Sequence, residues 1–149
     1  MQTPFKGQCA CGAVRYESTA APTFAWLCHC RDCQRASGSA YCAIMYIPRE
    51  ALTVSGEATY FTVTAESGNA VSRGFCGACG APMFIQAELA PALQGVWAAS
   101  LDQADTFNPS VQVWCDSARS WDTLHPELPR IAKAPSEAEF AAILTAASA

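Results

Sequence analysis

The spacing of the cysteines constrains this chain more than any other feature. Seven of its nine cysteines fall into three short groups. The groups are CxC at Cys9 and Cys11, CHCRDC with Cys28, Cys30 and Cys33, and CxxC at Cys76 and Cys79. An odd cysteine count argues against a disulfide framework, and clustered thiols in a reducing compartment more often bind metal. We therefore expect metal ions to be part of this structure.

The first and third groups complement each other. Each supplies two thiols and is followed by a glycine, which lets the backbone turn so that N–H groups point at the sulfurs. Structural zinc takes four ligands in a tetrahedron. The two pairs together predict one structural zinc site, with the ligands Cys9, Cys11, Cys76 and Cys79. In the alternative, Cys9 and Cys11 are small core residues beside a strand.

The CHCRDC group offers three further thiols, Cys28, Cys30 and Cys33. Three protein ligands with an open fourth position are typical of catalytic zinc, and the open position takes water or substrate. We predict a catalytic zinc here, with a thiol sulfur as the preferred fourth ligand. His29 is expected to face away from the metal, because neighbouring residues of an extended segment point to opposite sides.

Two alternatives remain for this group. Either Cys42 or Cys115 would complete four ligands and make the site purely structural. A redox dithiol at Cys30 and Cys33 is disfavoured, because redox CxxC motifs usually open a helix in a βαβ unit and no such unit is predicted.

The rest of the chain is typical of a mainly β protein. Short segments rich in aromatic and β-branched residues alternate with Gly, Pro, Ser and Asp, and no helical periodicity runs through residues 40–115. A capping-box spacing of Ser136 and Glu139 predicts a short C-terminal helix over residues 136–147. We expect small antiparallel sheets in a single domain, 1–149. The predicted strands cover residues 12–18, 41–47, 58–64, 70–75, 81–86, 95–100 and 111–115.

Charge and hydropathy exclude several partners. The net charge of −4 and the pI of about 5.0 argue against nucleic acid and anionic membranes. No apolar run is long enough to cross a bilayer, and the N-terminus lacks the apolar stretch of a signal peptide. We therefore expect a cytoplasmic protein, with its oligomeric state left open.

Three motifs together resemble the glutathione-dependent formaldehyde-activating enzyme family, which includes centromere-protein-V-like proteins. They are GQCACGAVRY (7–16), CHCRDCQRASGS (28–39) and RGFCGACGAPMF (73–84), and SWDTLHPELPR (120–130) looks like the family's tail. The resemblance implies a β-tent fold with a structural zinc on the four paired cysteines and a second, catalytic or labile zinc on the other three. It also implies carbon–sulfur lyase activity that joins formaldehyde and glutathione as S-(hydroxymethyl)glutathione.

We therefore predict a lyase that uses two zinc ions and acts on the adduct of a small aldehyde with glutathione or a similar thiol. Basic side chains beside the motifs are candidates to bind the carboxylates of glutathione: Arg31, Arg35 and Arg73. Aromatic candidates for the pocket wall are Trp26, Tyr41, Tyr46 and Trp97. The alternative function is a protein-binding module in which both zinc ions are structural. A simple module needs only one structural site, so the presence of the second cysteine cluster favours the enzyme.

Overall fold

The computed structural model describes residues 1–147, and its regular structure is mainly β. Two α-helices accompany the strands: α1 spans Arg31–Ser37 and α2 spans Glu137–Ala147. The ten strands within residues 1–147 are β1 (Phe5–Gln8), β2 (Arg15–Ser18), β3 (Phe24–Cys28), β4 (Cys42–Pro48), β5 (Leu52–Ser55), β6 (Ala58–Thr64), β7 (Ala70–Cys76), β8 (Pro82–Ala87), β9 (Leu93–Trp97) and β10 (Val111–Val113). Neither helix of this described part is long and apolar enough to cross a membrane.

The strands form two sheets. The smaller sheet has the order β1-β2-β5, and the larger has the order β10-β3-β4-β9-β8-β7-β6. All pairs are antiparallel except β10 and β3, which run parallel. The predicted mainly β fold with antiparallel sheets is confirmed, although one sheet has seven strands and is larger than expected.

The large sheet separates two hydrophobic cores, because successive side chains of a strand point to opposite faces. We call the face that packs on the small sheet the inner face, and its core includes Tyr16, Met45, Ile47, Phe84 and Val96. The Tyr16 and Phe84 rings meet there edge to face, with centroids 5.9 Å apart. We call the opposite face the outer face, and its core includes Phe24, Ile44, Tyr46, Ile85 and Trp97.

Helix α2 covers part of the outer face. Its predicted capping box is present: the Ser136 N–H donates to Glu139 Oε2 at 2.8 Å, and the Glu139 N–H donates to Ser136 Oγ at 3.3 Å. Ile143 is buried against the outer-face core, and the Phe140 ring lies 5.2 Å from that of Phe24. The predicted helix is therefore confirmed, with its start one residue later than expected.

Each of the seven predicted strands overlaps an observed strand, and Ala58–Thr64 has the predicted bounds. Three strands were not predicted: β1, β3 and β5. Strand β3 (sequence FAWLC) was not recognised in the sequence because it is buried or half-buried along its whole length. A strand covered on both faces loses the alternation of polar and apolar residues by which strands are recognised.

Helix α1 was not predicted either, and it begins inside the CHCRDC group. Cys30 is its N-cap residue, and its sulfur accepts a hydrogen bond from the Cys33 N–H at 3.3 Å. Gly38 ends the helix in the left-handed conformation with φ of 65°, which glycine adopts without strain. Seven residues are too few for a helical period to be visible in the sequence.

Candidate metal centres

The first candidate centre joins two loops that are distant in the chain. The sulfurs of Cys9, Cys11, Cys76 and Cys79 all lie within 4.8 Å of one another. Gly12 and Gly80, the glycines that follow each pair, both have a φ of 75°, so each loop turns back as the sequence indicates. We call this group the four-sulfur cluster. Four sulfurs at this separation fit a tetrahedral zinc ion.

Within the four-sulfur cluster, the pKa values of Cys9 and Cys11 are shifted in opposite directions. The Val14 N–H donates to Cys9 Sγ at 3.2 Å, and this hydrogen bond lowers the pKa of Cys9 to about 6. The Ala13 N–H favours the thiolate of Cys11, yet hydrogen bonds with Cys9 and Cys79 raise the pKa of Cys11 to about 11. Thiols that exchange hydrogen bonds in this way are ligands that lose protons when a metal binds.

The second candidate centre gathers Cys28, Cys30 and Cys33, whose sulfurs also lie within 4.8 Å of one another. We call it the three-sulfur cluster. Cys28 ends strand β3, while Cys30 and Cys33 lie at the N-cap and in the first turn of α1. Cys28 and Cys33 are buried and Cys30 is half-buried. The strand-to-helix turn therefore brings together the three thiols that the sequence singles out.

Negative charge in the three-sulfur cluster is concentrated on Cys33. Hydrogen bonds from the thiols of Cys28 and Cys30 lower the pKa of Cys33 well below its usual value, with smaller contributions from Cys42 and the positive charge of Arg73. The same contacts raise the pKa of Cys28. Arg73 Nη2 donates a long hydrogen bond of 3.9 Å to Cys33 Sγ.

The two remaining cysteines lie outside both clusters. The Cys42 thiol donates to the backbone oxygen of Cys33 at 3.1 Å, and the Cys115 thiol donates to that of Gln112 at 3.6 Å. Within residues 1–147, no fourth His, Cys, Asp or Glu ligand atom lies within 4.8 Å of all three sulfurs, although the Cys42 thiol also contacts that of Cys33.

His29 is wholly buried and is not part of the three-sulfur cluster. Its ring packs on that of Tyr41 with centroids 5.3 Å apart, and within residues 1–147 neither ring nitrogen has a partner that meets the geometry of a hydrogen bond. Burial lowers the pKa of His29, so the ring is held neutral. This placement agrees with the expectation that His29 faces away from the three thiols.

Gln34 is a residue of this site that the sequence analysis missed. Its buried side-chain amide donates to the backbone oxygens of His29 at 2.6 Å and Ser117 at 2.9 Å, and so fastens α1 to the loop that carries the cysteines. No signal in the sequence marks it, because its role depends on a helix that was not predicted.

The outer face surrounds the three-sulfur cluster with aromatic side chains. Tyr46 and Trp97 belong to the same hydrophobic core as Cys28 and Cys33, and Trp26 packs against this core. Tyr41, the fourth aromatic candidate, contacts His29. Among the described residues, three buried donors here lack a hydrogen-bond partner: Trp26 Nε1, Trp97 Nε1 and Arg73 Nε. Unpaired buried donors are costly, and an acceptor atom of a ligand or of water that reached them would remove this cost.

Of the three candidate arginines, only Arg73 reaches the three-sulfur cluster through a described contact. Arg31 and Arg35 are exposed on α1, and Arg31 donates to the side-chain oxygen of Gln34. The positive charge beside the three sulfurs therefore comes from one half-buried guanidinium.

The fold and the sulfur clusters define a mainly β protein with two cysteine centres that could hold metal ions. A family model described as "Glutathione-dependent formaldehyde-activating enzyme" matches residues 4–117, and the chain belongs to that family. This range contains all seven clustered cysteines. Membership supports an enzyme with a zinc-binding, glutathione-related function.

One similar solved structure is a crystal structure of a Rhodobacter sphaeroides protein. It superposes with a TM-score of 0.54 at 23% sequence identity and covers 84% of this chain and 98% of that chain. At this identity the likeness shows a shared fold. The comparison with curated proteins gives no match.

Proposed function

We propose that this chain is a zinc-dependent carbon–sulfur lyase that acts on the adduct of a small aldehyde with glutathione or a similar thiol, such as S-(hydroxymethyl)glutathione. One observation carries the proposal: in the described part of the chain three sulfurs lie together with no fourth ligand atom within 4.8 Å of all of them, beside a separate four-sulfur cluster. A structural role needs a closed site, whereas a substrate needs an open position.

The donor set of each cluster fits zinc. Cys28, Cys30 and Cys33 would hold one ion, which would lower the pKa of a bound thiol and so supply a thiolate at neutral pH. Cys9, Cys11, Cys76 and Cys79 would hold a second, structural ion. A cytoplasmic location is part of the proposal, because reduced glutathione and the nine free thiols of this chain both need a reducing compartment.

The chain's own residues prepare the site for this reaction. Burial of Cys28 and Cys33 limits the access of water to two of the three sulfurs. Tyr46 and Trp97 supply an apolar wall, which strengthens electrostatic interactions with a reacting group. In the forward direction the substrate thiolate forms a carbon–sulfur bond, the carbonyl electron pair moves to oxygen, and the proton released by the thiol returns to that oxygen.

The proposal is tested by exchange NMR of glutathione and formaldehyde with zinc-loaded protein. We expect the wild-type chain to accelerate exchange and to contain two zinc ions. Cys30→Ser, at the half-buried position of the cluster, should lose one zinc and reduce the acceleration at least about a hundredfold. The matched control, Cys115→Ser, removes a thiol outside both clusters and should change neither value.

A non-catalytic protein-binding module is the second candidate, favoured by the uncovered edge strand β6. Phe61 is 67% exposed there, and natural edge strands usually avoid exposed apolar residues. The same experiment separates the two functions. A wild-type chain with two zinc ions, no acceleration of exchange, and a Cys30→Ser variant that unfolds would support the module and overturn the lyase.

A further inference from the structure

Arg73 lies on strand β7 in a row of paired residues that crosses the outer face. It pairs with Phe61 of β6 on one side and with Ile85 of β8 on the other. Ile85 belongs to the same hydrophobic core as Cys28 and Cys33. The pleat therefore directs Arg73 toward the three-sulfur cluster, where its Nη2 lies 3.9 Å from Cys33 Sγ.

The guanidinium of Arg73 has more donors than the protein satisfies. Within residues 1–147 Arg73 has no carboxylate oxygen within 4.0 Å, although the charge of Asp32 acts on it from further away. Among the same residues its buried Nε finds no hydrogen-bond partner. A half-buried guanidinium with a free donor is unfavourable unless an anionic or polar group comes to it.

The number of bonds from the substrate sulfur decides which substrate group Arg73 can reach, the aldehyde-derived oxygen or a carboxylate of glutathione. A substrate sulfur that takes the open position lies beside the three cysteine sulfurs, and Arg73 already contacts one of them. In a thiol–aldehyde adduct, the aldehyde-derived oxygen is only two bonds from that sulfur. The carboxylates of glutathione are several bonds further away, near the two ends of the tripeptide.

We propose that Arg73 donates hydrogen bonds to the aldehyde-derived oxygen of the adduct and stabilises the negative charge that develops there. This inference rests on the proposed lyase function. When the adduct is cleaved, its hydroxyl releases a proton to solvent, the carbon–sulfur bond breaks with its electron pair going to sulfur, and the aldehyde carbonyl forms. The thiolate that leaves can then take up a proton from solvent, which balances the reaction. The alkoxide before bond cleavage is the anion that a positively charged donor stabilises most.

The test compares Arg73→Met and Arg73→Lys with wild type, using kcat and KM for adduct cleavage, glutathione affinity by calorimetry, and zinc per chain. We expect Arg73→Met to lose about a hundredfold in kcat, as for removal of one oxyanion donor. KM should stay within about twofold, because the interaction becomes strong only when negative charge develops on the oxygen. Glutathione affinity and zinc content should also stay within about twofold, because glutathione alone has no aldehyde-derived oxygen. Arg73→Lys should recover part of the lost kcat, because lysine keeps the positive charge but lacks the planar guanidinium with its paired donors.

Arg130→Met is the matched control, because it removes the same charge from an exposed side chain and should leave all four quantities unchanged. The inference is overturned if Arg73→Met weakens glutathione binding tenfold and keeps kcat, which would assign Arg73 to a carboxylate. It is also overturned if Arg73→Met loses zinc and Arg73→Lys retains it, which would make Arg73 only a counter-charge, or if neither variant changes kcat. An inactive wild-type chain overturns the lyase function itself, and this inference with it.

Discussion

At the scale of single residues, the thiols of Cys9 and Cys11 differ in how they hold their protons. The Val14 N–H stabilises the Cys9 thiolate and lowers the pKa of Cys9 to about 6. Hydrogen bonds with Cys9 and Cys79 outweigh that of the Ala13 N–H and raise the pKa of Cys11 to about 11. At neutral pH a metal that binds here would find Cys9 already ionised, but it would have to displace a proton from Cys11.

This difference predicts how zinc affinity of the four-sulfur cluster varies with pH. Each thiol that loses a proton on binding makes the apparent affinity fall about tenfold per unit decrease in pH. Because the pKa of Cys9 is lowered, Cys9 adds to this dependence only below about pH 6. We expect the slope of log affinity against pH to increase by about one as the pH falls through 6, in chelator competition with Cys30→Ser protein. A slope that is constant from pH 5 to 8 would contradict this assignment.

The two cysteine clusters could be predicted because their pattern is local. CxC and CxxC spacings place two sulfurs in one turn, and counting to four ligands pairs Cys9 and Cys11 with Cys76 and Cys79 across the chain. The direction of Arg73 could not be predicted, because a shift of strand register between Gly74 and Phe75 lies beside it. A change of one residue in register reverses which face a side chain occupies.

At the scale of secondary-structure elements, helix α1 carries two of the three cysteines of the three-sulfur cluster. Its position depends on Gln34, whose amide donates to the backbone oxygens of His29 and Ser117. A short helix has little stability by itself, so such contacts fix where its first turn lies. Gln34 thus positions Cys30 and Cys33 and is not itself part of the three-sulfur cluster.

Replacing Gln34 by methionine tests this dependence. The variant leaves two backbone oxygens without their donor, and we expect the free energy of unfolding to fall by about 1–3 kcal/mol. Affinity of the three-sulfur cluster for zinc should fall about ten- to a hundredfold, as for other residues that orient ligands, while the four-sulfur cluster keeps its affinity. Urea unfolding and chelator competition measure the two effects.

Gln103→Met provides the control, because Gln103 is exposed and remote from α1 in the fold, beside the 3₁₀ turn Ala104–Thr106. It should leave both the unfolding free energy and the zinc affinities unchanged. An equal loss of affinity at both clusters in Gln34→Met would show that the variant weakens the whole fold, and would refute the specific role of Gln34.

Strand β3 and helix α1 were not predicted from the sequence, and both were missed for one physical reason. Strand β3 is covered on both faces, and α1 has fewer residues than two helical turns. Neither shows the periodicity by which an element is recognised. Strand β6, which is largely exposed, and α2, which has its capping box, were predicted nearly to the residue.

At the scale of the whole molecule, the two candidate centres belong to cores on opposite faces of one sheet. Strand β7 connects them: Cys76 at its end belongs to the four-sulfur cluster, and Arg73 contacts the three-sulfur cluster. A structural zinc on the inner face would therefore also fix the strand that directs Arg73 on the outer face. The two clusters are joined by this strand, and they have no cysteine in common.

The strand order of the large sheet could not be predicted from the sequence. Strand β10 pairs in parallel with β3, and the following segment runs beside it, with the Gln112 N–H donating to the Pro129 oxygen at 2.9 Å. Parallel pairing of this kind joins residues that are distant in the chain, and no local pattern specifies it. That residues 1–149 form one domain stays a prediction.

The central claim is that the three-sulfur cluster presents an open position to a thiol substrate. Zinc-edge X-ray absorption of protein with two zinc ions per chain, recorded with and without saturating glutathione, tests it most directly. The account predicts that glutathione replaces a lighter ligand by sulfur in the wild-type chain, and that Cys30→Ser, with one zinc left in the closed four-sulfur cluster, gives no change. An unchanged wild-type spectrum at two zinc ions per chain would contradict the claim and leave both centres structural.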